Sequence, residues 1–257
     1  MKLKGDQTYD HVIFSSLLKI VAGMATVTLV GGAWWMLRGP DLSYVPEMAE
    51  HAVVLSDDHK IFVQKFEVTV AEWNQCHADG ACDLELRAPA HEDPAFLPAT
   101  GLNFVDVNQY LDWINRHSRH PFRLPTAEEW DFMAKDVLPE EPDPIFTDPA
   151  LSWASSYLIE GLAPRRLVRQ GSFSVSPEGI VDLDGSVWEW TEDCFAGDGG
   201  GSIDRDRCPA FFAGGEHVAA IPFLVRDPAR GGCAVGSPPA HLGLRLVTNK
   251  KIKGGRV

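Results

Sequence analysis

The sequence is short of basic residues and lacks any Cys-x-x-Cys pair, and each shortage argues against a class of function. Its 257 residues include 23 Lys and Arg against 36 Asp and Glu, a net charge of −13. A chain this acidic, with no stripe of basic residues, gains little by neutralising phosphates, so we expect no nucleic-acid partner. Without Cys-x-x-Cys, and without histidines at ligand spacing beside the cysteines, we do not expect a zinc site.

Internal repeats are also missing, whereas residues that make turns are abundant. The chain contains 23 Gly and 18 Pro together with 8 Trp and 13 Phe. This composition predicts a loop-rich fold packed around aromatic side chains, and it argues against a helical bundle. With 45% hydrophobic and 23% charged residues, the chain is also not intrinsically disordered.

A long apolar run occurs only near the N-terminus. Residues 20–37 carry no charge, and residues 12–18 extend the run beyond Lys19. An apolar run of about 18 residues can span a membrane, and more basic residues precede this one than follow it. We therefore predict a transmembrane signal anchor at residues 12–37, with residues 1–11 in the cytoplasm and the rest of the chain outside. A cleaved signal peptide is the alternative.

The five cysteines form two local pairs and one single residue. Cys76 and Cys82 lie close together in the sequence, as do Cys194 and Cys208. Local pairs of this kind are typical of an oxidising compartment. We therefore predict two disulfide bonds and, with the signal anchor, a periplasmic domain held at the inner membrane. Cys233 is left as either a buried, inert thiol or a reactive one.

Capping boxes and apolar patterns predict the regular elements. Thr69 and Thr126 are each followed three residues later by a glutamate, the spacing that begins a helix. Apolar residues also recur at helical spacing in one segment and alternate in two others. We predict helices that begin at Thr69, at about Phe104 (to His117) and at Thr126, and strands at residues 61–68 and 242–247.

Four sequence segments occur in the order found in a known family. They are residues 66–69 (FEVT) with Trp73, residues 122–130 (FRLPTAEEW), residues 182–193 (DLDGSVWEWTED), and residues 230–232 (RGG) with 243–245 (GLR). Together they resemble the formylglycine-generating enzyme, or sulfatase-modifying factor, family. The resemblance implies one compact, loop-rich α+β domain related to the C-type lectin fold. This domain is expected at residues 59–248, between a linker at 38–58 and a basic tail at 249–257.

The VWEW segment has two tryptophans on one side of an extended chain and a glutamate on the other. Trp188 and Trp190 can bury large apolar areas, whereas a Glu189 that points inward needs a partner. One alternative is an ion pair with an arginine. The candidates for this role are Arg123, Arg230 and Arg245.

The resemblance implies two kinds of metal site. The family's structural calcium ion is the other possible partner of the motif glutamate, and its ligands map here to Asp182, Gly185, Val187 and Glu189. The family's oxidases also hold copper(I) between two cysteine thiolates shortly after the Arg-Gly-Gly segment. Here Gly236 stands in place of the first cysteine, and Cys233 lies three residues too early. We therefore expect neither copper nor copper-dependent formylglycine formation.

The resemblance favours a maturation role over catalysis. We expect a membrane-anchored accessory or maturation protein that holds or acts on a periplasmic partner enzyme or peptide, similar to the nitrite-reductase-associated (NirV-like) branch found in denitrification. The alternative is an oxidoreductase that modifies a peptide or small molecule through Cys233, with His241 or a recruited metal beside it. A lectin-like ligand-binding module is a third hypothesis.

Overall fold

The computed structural model describes residues 44–138, 166–195, 207–215, 218–227 and 241–252. The chain divides into two compact units, Met1–Asp41 and Leu42–Val257, and every described residue belongs to the second. The predicted anchor at residues 12–37 lies outside the described residues, as do Arg230 and Cys233. None of the helices in these described segments could span a bilayer.

Three helices begin where side chains cap their first turns. They are α1 (Val70–Ala78), α2 (Phe104–His117) and α3 (Ala127–Ala134). Thr69 and Thr126 cap α1 and α3 through the predicted capping boxes. Asn103 and Asp106 cap α2 in the same reciprocal way, a box that the threonine-based prediction did not include. Because a capping side chain satisfies backbone N–H groups that have no partner within the helix, it sets where the helix begins, and all three predicted helices are confirmed.

Short strands form two sheets in the described part of the chain. The strands are β1 (Val53–Val54), β2 (Lys60–Val63), β3 (Val187–Phe195), β4 (Ala210–Gly214), β5 (Val218–Pro222), β6 (His241–Gly243) and β7 (Val247–Thr248). One sheet has the order β1-β2-β7, and the other has the order β5-β4-β3-β6. β3, which contains the VWEW segment, therefore lies inside its sheet, antiparallel to β4 and parallel to β6.

Both predicted strands are shorter in the structure than in the prediction. The first ends at Val63, because the next two backbone N–H groups bond to separate segments, at Leu246 and Glu47. The second, predicted at residues 242–247, is interrupted between β6 and β7, where the fully buried Arg245 lies. An alternating pattern predicts which side chains are buried, but it does not show which neighbouring backbone is available for pairing.

The core is built from aromatic side chains, as the composition predicted. Trp188 and Trp190 are fully buried in a cluster that includes the inner face of α2. Trp130 of α3 lies in a second cluster, together with residues of the β1-β2-β7 sheet. Two glycines of the β4–β5 hairpin allow these rings to approach the backbone: a Cβ at Gly214 would overlap the Trp130 ring, and one at Gly215 would overlap Trp188.

Candidate functional site

Both predicted disulfide bonds are confirmed. Cys76 and Cys82 are joined at the end of α1, with Cα atoms 5.3 Å apart. Cys194 of β3 is joined to Cys208, just before β4, with Cα atoms 5.8 Å apart. Four of the five cysteines are therefore oxidised, and Cys233 is the only one that a disulfide does not account for.

The two motif tryptophans are structural. Both side chains are fully buried, and the Trp190 Nε1–H donates to the carbonyl of Leu102 at 2.8 Å. The Phe104 ring packs edge-on against Trp190, with ring centroids 5.7 Å apart. Trp190 therefore ties β3 to the start of α2, and Glu189 lies between the two tryptophans in the sequence with its carboxylate in a different environment.

Glu189 forms a fully buried ion pair with Arg245. Its Oε1 accepts a hydrogen bond from Arg245 Nε at 2.9 Å and lies 2.7 Å from Arg245 Nη2. Its Oε2 accepts a hydrogen bond from Trp130 Nε1 at 2.9 Å. Arg245 also donates to the backbone carbonyls of Gln64, Lys65 and Val181. Among the three candidate arginines, Arg245 is thus the partner, and this pair joins β3 to the chain segment after β2.

A second buried carboxylate faces the same guanidinium. The Oε2 of Glu67 lies 3.6 Å from Arg245 Nη2, and it makes no hydrogen bond. Burial, together with the negative charge of Glu189, raises the pKa of Glu67 to about 8, although Arg245 partly offsets the increase. At neutral pH, Glu67 is therefore mainly protonated, and Arg245 pairs with Glu189. The sequence analysis did not single out Glu67, although it lies in the FEVT segment.

The four residues mapped to the calcium site do not fit calcium in this arrangement. Both oxygens of Asp182 accept hydrogen bonds from backbone N–H groups, those of Gly171 and Phe173. Both oxygens of Glu189 are also occupied, and a guanidinium this close would repel a divalent cation. Gly185 closes a turn by donating its N–H to the Asp182 carbonyl, and Val187 begins β3. Of the two alternatives left by the sequence, the structure contains the ion pair.

Within the described residues, no group of three or more His, Cys, Asp or Glu side chains is placed to hold a metal ion. Asp182 instead organises its own loop, since its carboxylate bonds the backbone of the preceding segment. Its φ of 66° lies in the left-handed region, which aspartate tolerates better than most residues. The role of Asp182 in this structure is therefore that of a loop-forming residue.

Arg123 is partly exposed and pairs with a different glutamate. Its Nη1 and Nη2 donate to the two oxygens of Glu129 at 2.6 and 2.7 Å, and the guanidinium also bonds Asn249. Although burial raises the pKa of Glu129, hydrogen bonds from Arg123 and the backbone of Thr126 lower it below its usual value. The pair lines a polar cavity of about 510 Å³ beside the start of α3.

A second cavity was not predicted. This cavity, which we call the Phe104 groove, has a volume of about 580 Å³ and lies between the start of α2 and the open end of the β4–β5 hairpin. Its lining is mainly apolar and includes Phe104, Phe211 and Phe223, with Arg207 at its edge. No contiguous motif indicates it, because its residues come from three separate parts of the sequence.

Comparisons with known proteins identify the family. The chain matches the model of the sulfatase-modifying factor enzyme 1-like domain over residues 19–250, and a comparison with curated proteins gave no match. Among solved structures, PvdO from Pseudomonas aeruginosa is 18% identical, with 74% of this chain and 81% of that chain covered and a TM-score of 0.46. CarF is 15% identical, with 82% of this chain and 95% of that chain covered and a TM-score of 0.45. Treponema denticola variable protein 1 is 16% identical, with 80% of this chain and 92% of that chain covered and a TM-score of 0.42. Because the family model covers most of its length, the chain belongs to the sulfatase-modifying factor, or formylglycine-generating enzyme, family.

Proposed function

We infer that this chain is a membrane-anchored periplasmic accessory or maturation protein of its family. It binds or acts on a periplasmic partner enzyme, with denitrification as the process that its resemblance to the NirV-like branch indicates. It does not generate formylglycine with copper. The family supplies a rigid loop-rich scaffold, and the function then depends on what this scaffold binds.

The number of cysteines outside disulfide bonds is the observation that supports this inference. A copper(I) site of the family's kind needs two thiolates, because soft sulfur ligands select that ion. Two disulfides occupy four of the five cysteines, so Cys233 alone is available as a thiolate. One thiolate cannot reproduce the two-thiolate site, and a role in binding or maturation is then favoured over oxidation.

The anchor and the compartment are supported by independent features of the sequence. The apolar run at residues 12–37 is long enough to span a bilayer, and the basic residues before it place the N-terminus in the cytoplasm. Disulfide bonds persist in the oxidising periplasm and are rare in the cytosol. An outward-facing domain with two disulfide bonds agrees with this topology.

Copper loading tests the chemical half of the proposal. We expect the purified full-length chain to bind no stoichiometric copper(I) and to form no aldehyde on a cysteine-containing peptide in the presence of oxygen. Mass spectrometry of the peptide and metal analysis of the protein measure both quantities. One equivalent of tightly bound copper, or oxygen-dependent loss of the peptide thiol, would overturn the proposal.

Deletion in the native host tests the accessory half. Cells without the chain should lose activity of one periplasmic enzyme, and a tagged copy of the full chain should crosslink to that enzyme. The oxidoreductase alternative rests on Cys233, the only cysteine outside the two disulfides. If Cys233→Ser restores the partner's activity as well as the wild-type chain does, this alternative is wrong. If Cys233→Ser does not restore the partner's activity although the protein accumulates normally, the accessory hypothesis is wrong.

A further inference from the structure

The Phe104 groove has a floor of aromatic rings with fixed walls. The rings of Phe104 and Phe211 are stacked, with centroids 3.4 Å apart, and both side chains are buried. The Phe104 N–H donates to the carbonyl of Phe223 at 3.0 Å, which joins α2 to the end of β5. The Cys194–Cys208 disulfide holds the other wall, because Cys208 lines the groove. A preformed apolar cavity of this size is typical of a ligand site.

An ion pair reinforces the same junction. Arg226, just after β5, donates from Nε and Nη2 to the two carboxylate oxygens of Asp106 at 2.7 and 2.8 Å. Asp106 is itself part of the box that caps α2, so its carboxylate is positioned by the helix start. The α2 wall and the hairpin wall are therefore connected by a backbone hydrogen bond and a bidentate ion pair, which fix their relative position.

Apolar side chains around the groove remain in contact with solvent. Val105 is 43% exposed, Phe223 is 36% exposed, and the adjacent Leu224 is 61% exposed. Exposed apolar residues scattered singly are ordinary, but three that border one aromatic cavity form a patch whose burial would favour binding.

Charge at the edge of the groove determines the kind of ligand. Arg207 lines the groove, is exposed, and has no ion pair or hydrogen bond with any residue that the structure describes. Asn108, which also lines the groove, donates its amide N–H to the carbonyl of Phe104 at 2.8 Å, and its side-chain oxygen is an acceptor. Among the residues that the structure describes, the groove thus offers an apolar floor, one cation and one neutral side-chain acceptor.

We propose that the Phe104 groove binds a peptide segment of a protein partner, in which an aromatic or aliphatic side chain lies next to an Asp or Glu. The apolar side chain packs on Phe104, Phe211 and Phe223, the carboxylate pairs with Arg207, and a backbone N–H of the peptide donates to Asn108. A peptide has backbone N–H groups that can donate to the Asn108 side-chain oxygen. The apolar chain of a fatty acid has no such donor. This proposal deepens the accessory function, since it assigns that function a docking site and a partner chemistry.

Selection from a phage-displayed library of random short peptides tests the groove on the full-length chain. Enriched peptides should contain an aromatic or aliphatic residue beside Asp or Glu. We expect Arg207→Glu to weaken their binding by about tenfold or more, as for the loss of a charge-assisted contact. Val105→Asp should do the same by repelling the carboxylate, and an acidic residue in the first turn of α2 does not destabilise the helix.

Two exposed positions outside the groove serve as matched controls. Arg87→Glu changes the same charge at an exposed arginine, and Val175→Asp makes the same change at a valine that is 60% exposed. Neither should alter peptide affinity. No enrichment, enrichment without acidic residues, or equal binding to all four variants would overturn the proposal, as would a fatty acid that displaces the peptides and binds more tightly.

The two proposals fail in different ways. If the host enzyme still crosslinks to the Arg207→Glu and Val105→Asp variants as it does to the wild-type chain, the groove is not the docking site, but the accessory function stands. If peptides bind the groove while deletion affects no periplasmic enzyme, the groove stands and the accessory function falls.

Discussion

Two arginine–glutamate pairs lie in the family motifs of this domain, one partly exposed and one fully buried. Arg123 of the FRLPT segment bonds both oxygens of Glu129, and its side chain is 26% exposed. Arg245 of the GLR segment bonds Glu189, and both are fully buried. Arg123 bonds both oxygens of its partner, whereas Arg245 contacts one oxygen of Glu189, and solvent reaches only the first pair. Their contributions to stability should therefore differ severalfold, because solvent partly screens the first pair and leaves the fully buried one without an alternative partner.

Removal of the buried cation should have the largest effect. Arg245→Met leaves Glu189 and Glu67 buried with no positive charge nearby, so we expect the free energy of unfolding to fall by about 3–5 kcal/mol. Urea denaturation of the full chain, monitored by tryptophan fluorescence, measures the change. Arg245→Lys, which keeps the charge but loses the bonds to three carbonyls, should be intermediate. If Arg245→Met lowers the free energy of unfolding by less than Arg123→Met does, the comparison between the two pairs is wrong.

The excess carboxylate in the core should make stability depend on pH. The pKa of Glu67 is about 8 in the folded chain and about 4.3 when unfolded, so between these values only the folded state keeps the proton. This contribution to stability is therefore full below a pH of about 4.3, declines as the pH rises through that window, and is lost above a pH of about 8. Glu67→Gln cannot ionise and should be more stable than the wild-type chain at pH 9, by at least about 1 kcal/mol. Equal slopes of stability against pH for both proteins would show that Glu67 has an ordinary pKa.

Removal of the partly exposed cation should have a smaller effect. Arg123→Met leaves the Glu129 carboxylate, whose side chain is 9% exposed, at a polar cavity where the backbone N–H of Thr126 still donates to it. We expect a loss of about 1 kcal/mol. Added salt should reduce the contribution of this pair but not that of Arg245, since only exposed charges are screened. Unfolding curves of both variants at low and high ionic strength measure the difference.

Calcium should have the smallest effect. Arg245 and the Trp130 indole N–H occupy the oxygens of Glu189, and backbone N–H groups occupy those of Asp182. We therefore expect calcium and a chelator to give the same melting temperature. Metal analysis of the purified full chain should detect no stoichiometric calcium. One bound equivalent, with a lower melting temperature in chelator, would show that the buried pair gives way to a metal ion.

Local chemistry made the helices and disulfides predictable. Thr69 and Thr126 cap helices through interactions over three residues, and these interactions are the same in any fold. The cysteine pairs are close in sequence, so their loops close at little entropic cost. The strands were predicted less well, since pairing joins segments far apart in the chain, as Val63 with Val247 shows.

The family, the helix starts, the two disulfides and the need of Glu189 for a partner could all be predicted from the amino-acid sequence. The choice of Arg245 as this partner, the position of Glu67 beside it and the pairing of Arg123 with another glutamate depend on the fold. The fold also forms the Phe104 groove from residues more than a hundred positions apart. Capping and local crosslinking act between neighbours in the chain, whereas desolvated charges and cavities depend on which distant segments the fold brings together.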